Sequence, residues 1–397
     1  MRGNYWRHLP LIHGILCEFL LCLLLSATDG YGASMATKAV EFTPDIEQTV
    51  EHEDELTDQI LEQMAASQRA AADRHRHALR DAHAKSHAIL KATVTVHDGL
   101  PPELAQGIFA APATYDAVVR MSSSPGDLHT DRTAAPRGFA VKLIGVEGER
   151  LLPEPAGHNQ DFLMVNFPTL AFGTIAKYKD MLALLEKNSQ APEILQRVAT
   201  GTMRVAREAV EAVGIAPSAT LEGLGRDNSH VLGETYYTQA AIRYGEHVAK
   251  LSIAPKSENV RSLTGRRMKV EDFSGIRDVL VDYFRSEGAE YELRAQLSTD
   301  VDAMPVEDAA VLWKEEDSPH RPVATLRIEP QDAYTPERRI YGDDVLTFNP
   351  WNGVQAHQPL GSIMRIRKHA YERSTAYRHD YNVRERVEPD SIEQIPD

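Results

Sequence analysis

Cysteine is almost absent from this chain of 397 residues. The only two, Cys17 and Cys22, lie in an apolar segment close to the amino terminus. The remaining sequence therefore offers neither a disulfide framework nor a thiolate metal site. It also contains no glycine-rich phosphate-binding loop and no internal repeat. A metal or cofactor would have to be bound by other side chains.

Positive charge is scarce overall, with a formal net charge of -15. This balance argues against a nucleic-acid partner or an anionic membrane surface. Apolar and charged fractions of 42% and 25% are typical of a soluble globular protein. After the first 34 residues no stretch approaches the ~20 apolar residues that span a bilayer, so no span is predicted for the mature chain. A concentration of arginine near the carboxyl end then needs a local reason, such as a bound anionic group.

The first 34 residues allow two interpretations. Two arginines precede an apolar run and small residues follow it, which is the layout of a signal peptide. His13 and Glu18 interrupt that run, and "MATKAVEFTPD" from Met35 is typical of a natural start. Residues 1–34 are thus a signal peptide or a mis-called extension. The first alternative predicts a secreted or periplasmic protein and the second a cytoplasmic one.

The remaining sequence divides into an arm and one large domain. Residues 35–79 are rich in Glu, Gln, Ala and Asp, which predicts a solvated helical arm. Residues 80–397 carry β-branched, alternating segments, interrupted by a helical block after Tyr178 and closed by a last helix. This order predicts an α+β fold built on an antiparallel β-barrel. The predicted strand segments are "AILKATVTV", "YDAVVRMSSS", "RGFAVKLIGV", "QDFLMVNFPTLAF", "ETYYTQAAIRYGEHVAKLSIAP", "AEYELRAQLST" and "RPVATLRI".

The basic stretch "RIRKHAYERSTAYRHDYN" is the most informative segment near the carboxyl end. On a helix, Arg367, Tyr371 and Arg378 fall within roughly 40° of one another. A phenol beside a permanent cation is favoured as phenolate, and tyrosinate is a known axial ligand of haem iron. Arg378 could then bind a haem propionate. The alternative is an amphipathic basic helix on an acidic surface, with the tyrosines as packing residues.

Two earlier stretches carry further candidates. In "ALRDAHAKSHAIL", His83 could accept a proton from a peroxide or a water. The alternatives there are a solvated helix end, or a weak metal site made by His83 and His87. In "VVRMSSS", Arg120 stands in an apolar strand and needs an anion unless it faces the surface. Ser122 shares its strand face.

The order of these motifs resembles that of the haem catalase family. Arg-x-x-His-Ala-Lys, Val-Arg-x-Ser, Pro-Arg-Gly-Phe-Ala-Val-Lys and Arg-x-x-x-Tyr follow one another between Arg80 and Arg378, and "WKEEDSPHRPVATL" and "LTFNP" agree with the same order. The resemblance is to the compact, catalase-related branch. It implies haem b with Tyr371 as the iron ligand, Arg367 holding the phenolate and His83 as the distal base.

The same resemblance implies further roles. Ser122 would steady His83, and the propionates would be bound by Arg80, Arg120 and Arg378. Peroxide would be oriented by a distal amide, for which we name Asn159, because the family's own position aligns with His158. Other departures are Arg373 in place of an aspartate, and Ser86-His87-Ala88 in place of a glycine-rich run.

The implied activity is haem-dependent decomposition or reduction of hydrogen peroxide or organic hydroperoxides. A hydroperoxide isomerase of the allene oxide synthase type is one alternative, although Ala82 replaces the threonine that those enzymes place before the distal histidine. A haem- or lipid-binding barrel without turnover is the other. The sequence leaves the oligomeric state open, a homo-oligomer included.

Overall fold

A computed structural model describes residues 38–132, 134–153, 157–170, 172–188 and 229–397. The two interpretations of residues 1–34, and the predicted helical block beyond residue 188, lie outside these ranges. Within them, no helix combines the length and the apolar character required to cross a membrane. The described residues from Ala39 onward belong to one compact unit.

Nine antiparallel strands form one sheet that closes on itself. Their hydrogen-bonded order is β5-β4-β3-β2-β1-β9-β8-β7-β6, and β5 also pairs with β7, which closes a barrel of eight strands. The ninth, β6, extends the sheet as a hairpin with β7. The α+β prediction with an antiparallel barrel is confirmed. The strands are β1 (Lys85–Val96), β2 (Thr114–Ser123), β3 (Arg137–Ile144), β4 (Asn159–Val165), β5 (Tyr236–Tyr237), β6 (Ile242–Tyr244), β7 (His247–Pro255), β8 (Ala289–Leu297) and β9 (Arg321–Ile328).

Alternation along the strands fills the barrel. Successive side chains of a strand point to opposite faces, so Val119 and Met121 of β2 and Phe139 of β3 enter one continuous apolar core, together with Leu251 and Leu293 from the opposite wall. The residues between them face outward, where helices and loops cover them. Arg120, Ser122 and Gly138 therefore stand together on the outer face of the barrel.

Helices cover that outer face. They are α1 (Glu53–His75), α2 (Ile175–Asn188), α3 (Glu258–Arg261), α4 (Gly275–Phe284), α5 (Pro336–Ile340) and α6 (Ser362–Asn382), with a π-helical turn at Tyr341–Val345. The predicted arm does contain a helix, α1. It is not solvated all round, because Ile60 is fully buried in a cluster with Ile363 and Ile366 of α6, and Gln68 donates hydrogen bonds to the backbone and hydroxyl of Ser374.

A buried ion cluster joins β3 and β4 to the carboxyl-terminal segment. Lys142 and Asp161 are direct cross-strand partners, and the Lys142 ammonium lies 2.7 Å from Asp161 Oδ1 and 2.8 Å from Glu388 Oε2. Burial raises the pKa of Asp161 to about 6, even though Lys142 opposes the shift. Burial alone would raise the pKa of Glu388, but Lys142, the Thr347 hydroxyl and Arg386 together lower it. One cation thus serves two carboxylates.

We predict that Lys142→Met lowers the free energy of unfolding by about 3–5 kcal/mol at pH 8, because it leaves Asp161 buried without a cation and Glu388 with Arg386 alone. The raised pKa of Asp161 means that its protonated form is favoured by the fold, and this contribution is lost as the pH rises through about 6. The cost should therefore shrink at pH 5, where the carboxylates take up protons. Denaturant unfolding at both pH values measures it.

The matched control is Lys91→Met, since Lys91 pairs with the fully exposed carboxylate of Asp397. That surface pair should contribute little at either pH. Equal losses for the two variants, or a Lys142→Met cost independent of pH, would contradict a buried ionic role for this cluster.

Candidate functional site

The Arg367–Tyr371 pair lies on one face of α6. The spacing of four residues brings the two side chains together, and Arg367 Nη2 donates to the Tyr371 hydroxyl oxygen at 2.7 Å. The same guanidinium lies 5.1 Å from the centroid of the Tyr371 ring. The helix runs from Ser362 to Asn382 without glycine or proline, so this geometry is fixed by regular backbone. The phenol oxygen of Tyr371 thus lies in direct contact with a permanent cation.

His83 precedes β1 in a left-handed backbone conformation, with φ of 50°. A non-glycine residue rarely adopts this region, and such strain is frequent at functional sites. Its Nδ1 lies 3.4 Å from Ser122 Oγ. Gly138 lies against both groups, since a Cβ there would come within 2.7 Å of His83 Nδ1 and of Ser122 Oγ. The imidazole of His83 thus packs directly against the backbone of β3.

Burial is the main influence on the charge of His83. It lowers the pKa of the imidazole to about 3, and the nearby guanidiniums of Arg120, Arg367 and Arg137 lower it further. The ring is consequently neutral across the physiological range. A neutral imidazole can accept a proton, which a protonated one cannot.

Three arginines from three parts of the chain meet beside His83. Arg80 precedes β1, Arg120 lies in β2 and Arg378 lies in α6. Arg80 and Arg378 both donate to the carbonyl oxygens of Asp343 and Leu346. Arg120 donates to the carbonyl oxygens of the His83–Ala84 segment. The structure therefore brings together the three arginines that the resemblance assigns to one anionic group.

This arginine cluster has little negative charge in direct contact. The Asp343 carboxylate lies 3.3 Å from Arg120 and 3.5 Å from Arg80. Burial lowers the pKa of Arg378 to about 10, and Arg120 lowers it further against the effect of Asp343. Arg80 is shifted in the same direction, by burial and by the other two guanidiniums. Three buried cations around one carboxylate suit an additional anion.

The segment before β1 is deeply surrounded. Loss of solvation is the leading influence on the pKa of Arg80, Asp81 and His83, and burial also raises the pKa of Tyr178 of α2 to about 12. Tyr178 is close enough to Arg367 for that charge to act on its phenol. The donor set, a tyrosine in contact with one arginine and a cluster of three further arginines, fits a dianionic macrocycle with a tyrosine ligand.

Asn159 does not lie near His83. It begins β4 opposite Ile144, whereas Val165, at the other end of β4, pairs with Gly138. The six residue steps from one to the other span about 20 Å of strand. Asn159 is fully buried, and its Nδ2 donates weakly to Glu388 at 3.4 Å. An amide at the His83 end of β4 is Asn166, which accepts from the Arg137 backbone N–H and donates to Glu234.

Two other positions that differ from the catalase pattern, His87 and Arg373, have partners of their own. His87 lies in a register shift of β1, is buried, and its Nε2 lies 2.6 Å from Ser123 Oγ. Among the described residues no group of three or more His, Cys, Asp or Glu side chains could hold a metal ion, so the weak metal site with His83 has no support there. Arg373 points away from Tyr371 to Glu62 of α1, at 2.9 Å.

Sequence reasoning missed Gly138 and Asp343. Gly138 lies within the quoted "RGFAVK" segment, and a glycine inside an alternating strand signals close backbone approach. No comparable signal marks Asp343, because its role depends on a π-helical turn that the pattern does not predict.

Comparison with solved structures gives the fold. A fungal catalase superposes with a TM-score of 0.54 at 17% identity, over 81% of this chain and 65% of that one. A bacterial catalase gives 0.55 at 16% identity, over 81% and 62%. Catalase A from Saccharomyces cerevisiae gives 0.53 at 15% identity, over 79% and 65%. The chain has a catalase-like fold.

The similarity to these catalases is one of fold. No family model matches the sequence, and no curated protein matches it either. The chain spans less than two thirds of the length of each catalase above. At these identities the catalase-like fold is established, and the activity has to be argued from the residues.

We predict that His83 makes stability depend on pH. Its lowered pKa means that the fold favours the neutral ring, a contribution present above pH 6.5 and lost as the pH falls towards 3. Between pH 8 and pH 5 the wild type should lose about 2 kcal/mol more unfolding free energy than His83→Gln. The exposed His369→Gln variant on α6 is the control and should follow the wild type. A His83 NMR titration near pH 6.5 would contradict a buried, neutral ring.

Proposed function

We propose that this protein binds haem b through Tyr371 and uses it to decompose or reduce peroxides. The observation that carries the proposal is the 2.7 Å contact between Arg367 and the Tyr371 hydroxyl on α6, next to three arginines with one directly bonded carboxylate. A phenolate and a site for two propionates are the two features that tyrosinate-ligated haem requires. The catalase-like fold supports the same proposal, although it does not by itself define an activity.

In this proposal each side chain has one task. Tyr371 is the iron ligand, and Arg367 keeps its oxygen negative by donating to it. Arg80, Arg120 and Arg378 bind the propionates as charge-assisted pairs. When bound, haem would supply the redox chemistry that cleaves the O–O bond.

His83 is the proposed proton carrier. Its ring is neutral, because burial holds its pKa at about 3. With Nδ1 turned to Ser122, the other nitrogen, Nε2, accepts the proton of a peroxide and returns it to the departing oxygen. Ser122 and the backbone at Gly138 fix the plane of the ring, so that the proton moves between defined atoms.

The substrate we favour is an organic hydroperoxide, with hydrogen peroxide turned over more weakly. Asn159, the amide we expected to orient a small peroxide, lies near Glu388 and apart from His83. An amide that orients a small substrate contributes mainly to positioning. Without it, a larger hydroperoxide still offers more contacts for positioning than hydrogen peroxide does. The two alternatives are a hydroperoxide isomerase and a haem-binding protein without turnover. The experiments below distinguish them from a peroxidase.

We predict that Tyr371→Phe abolishes or strongly shifts the Soret band of the haem-reconstituted protein, because phenylalanine offers no ligand oxygen. Tyr377→Phe, one and a half turns further along α6 and packed on Tyr381, is the matched control and should keep the wild-type spectrum. Absorbance titration with haemin measures both. A wild-type protein that binds no haem, or a Tyr371→Phe spectrum identical to the control, would refute the proposal.

We predict that His83→Gln keeps the Soret band but lowers peroxide turnover by about 10²–10⁴-fold, the usual contribution of a general acid–base group. Oxygen release from hydrogen peroxide, dye oxidation with cumene hydroperoxide and product analysis with a fatty-acid hydroperoxide are measured in parallel. His369→Gln serves as the control. Haem binding without turnover by the wild type would favour the binder, and rearranged fatty acid as the main product would favour the isomerase.

A further inference from the structure

A cavity of about 510 Å³ lies on the outer face of β7 and has no part in the proposed peroxide chemistry. Lys250 of β7 and Gln296 of β8, which are cross-strand partners, form its floor. Trp313 and its neighbours in the "WKEEDSPHRPVATL" segment, His320 included, line it together with Tyr237. Its lining includes none of the residues assigned to the haem site, so the inference below does not depend on the proposed function.

Lys250 is unusual among the lysines of this protein. It is only 4% exposed, and no carboxylate of the described residues lies within 4.0 Å of its Nζ. The ammonium donates to the Val311 carbonyl oxygen at 3.3 Å and lies 4.7 Å from the centroid of the Trp313 ring. Burial lowers its pKa to about 7, and Asp308 offsets only part of the shift. That carboxylate is itself bonded to Lys177, at 3.3 Å.

The charged groups of the lining balance one another. The rings of Tyr237 and Trp313 belong to the lining, and His320 is held neutral because burial lowers its pKa to about 4. Lys314 is paired with Glu316 at 3.3 Å, and the remaining carboxylate, Glu315, balances the charge of Lys250. A lining without net charge, with an amine beside aromatic rings, suits an uncharged, partly apolar molecule that reacts with an amine.

We propose that this cavity binds uncharged aldehydes and that Lys250 holds them as an imine. The lone pair of Nζ attacks the carbonyl carbon while the C=O π pair moves to oxygen, and a proton passes from nitrogen to that oxygen. Loss of water from the carbinolamine forms the C=N bond, and hydrolysis reverses every step. No oxidant or reductant is consumed. His320, fixed by a 2.9 Å contact between its Nδ1 and Ser252 Oγ, can carry the proton.

Reductive trapping of the full-length chain tests this proposal. The protein is incubated with benzaldehyde and sodium cyanoborohydride at pH 7, digested, and the fraction modified at each lysine is measured by mass spectrometry. We expect modification at Lys250 at least tenfold faster than at Lys256, an exposed lysine just beyond the same strand. The reason is that an amine of pKa about 7 is half deprotonated at pH 7, whereas an ordinary exposed lysine is almost fully protonated.

Variants and pH make the test sharper. Lys250→Arg keeps the charge but cannot form an imine, so the fast adduct should disappear, while Lys256→Arg should leave it unchanged. Labelling at Lys250 should be half-maximal near pH 7. The other ionisable groups around the cavity are Asp308, Lys314, Glu315, Glu316 and His320, and burial lowers the pKa of His320 to about 4. Equal labelling of both lysines, or labelling of Lys250 only after denaturation, would overturn the proposal. The measurement needs no haem and no variant to fold, since the wild-type digest alone decides it.

Discussion

Buried positive charge is the constraint on which this structure depends. A cation removed from water needs an anion, or must lose its proton. A buried lysine can lose its proton, whereas a buried arginine cannot. Several buried or half-buried cations lie on the outer face of the barrel or on the helix α6, and they are accommodated in different ways. The consequences range from the attachment of the carboxyl terminus to the chemistry of the two candidate sites.

Two of these cations are neutralised within the fold. Lys142 holds Asp161 and Glu388, which fixes the last residues to β3 and β4. Arg365 of α6 contacts Glu47, Glu53 and Glu307; burial alone would lower its pKa, and the three carboxylates together raise it instead. These contacts set the position of α6 against the amino-terminal segment and the loop before β9. Because Arg367 and Tyr371 lie on the same helix, the ion pairs of Arg365 also determine where these two side chains are placed.

The fold was largely predictable from the sequence, because strand alternation and helical periodicity are local patterns. The catalase-like order of motifs added the pairing that alternation cannot supply. The helix of the predicted arm shows that composition alone does not predict which residues of a helix are buried. Its mean character is polar, yet Ile60 and Gln68 are buried against α6, and only the tertiary contact decides which few residues of a polar helix turn inward.

The site was predictable where spacing within one element suffices. Arg367 and Tyr371 are four residues apart on one helix, and the helix fixes their contact. Asn159 could not be placed in the same way. The connection between β3 and β4 is long, and its length, which no motif reveals, decides whether the amide or Val165 faces Gly138. Asp343 was missed for the same reason, since its contacts with the arginines arise from a turn between distant segments.

Two further sets of cations carry function in our proposals, and they differ by chemistry. The cluster of Arg80, Arg120 and Arg378 cannot lose its charge at any physiological pH, so it requires an anion, a requirement that Asp343 only partly meets. A dianionic cofactor would meet the rest. Lys250 lies beside the Trp313 ring without a bonded carboxylate, and it meets the same constraint by releasing its proton. Burial lowers the pKa of both kinds of cation, but only the ammonium reaches the neutral form near pH 7. The same constraint thus yields a permanent positive charge on one side of the barrel and a nucleophilic amine on another.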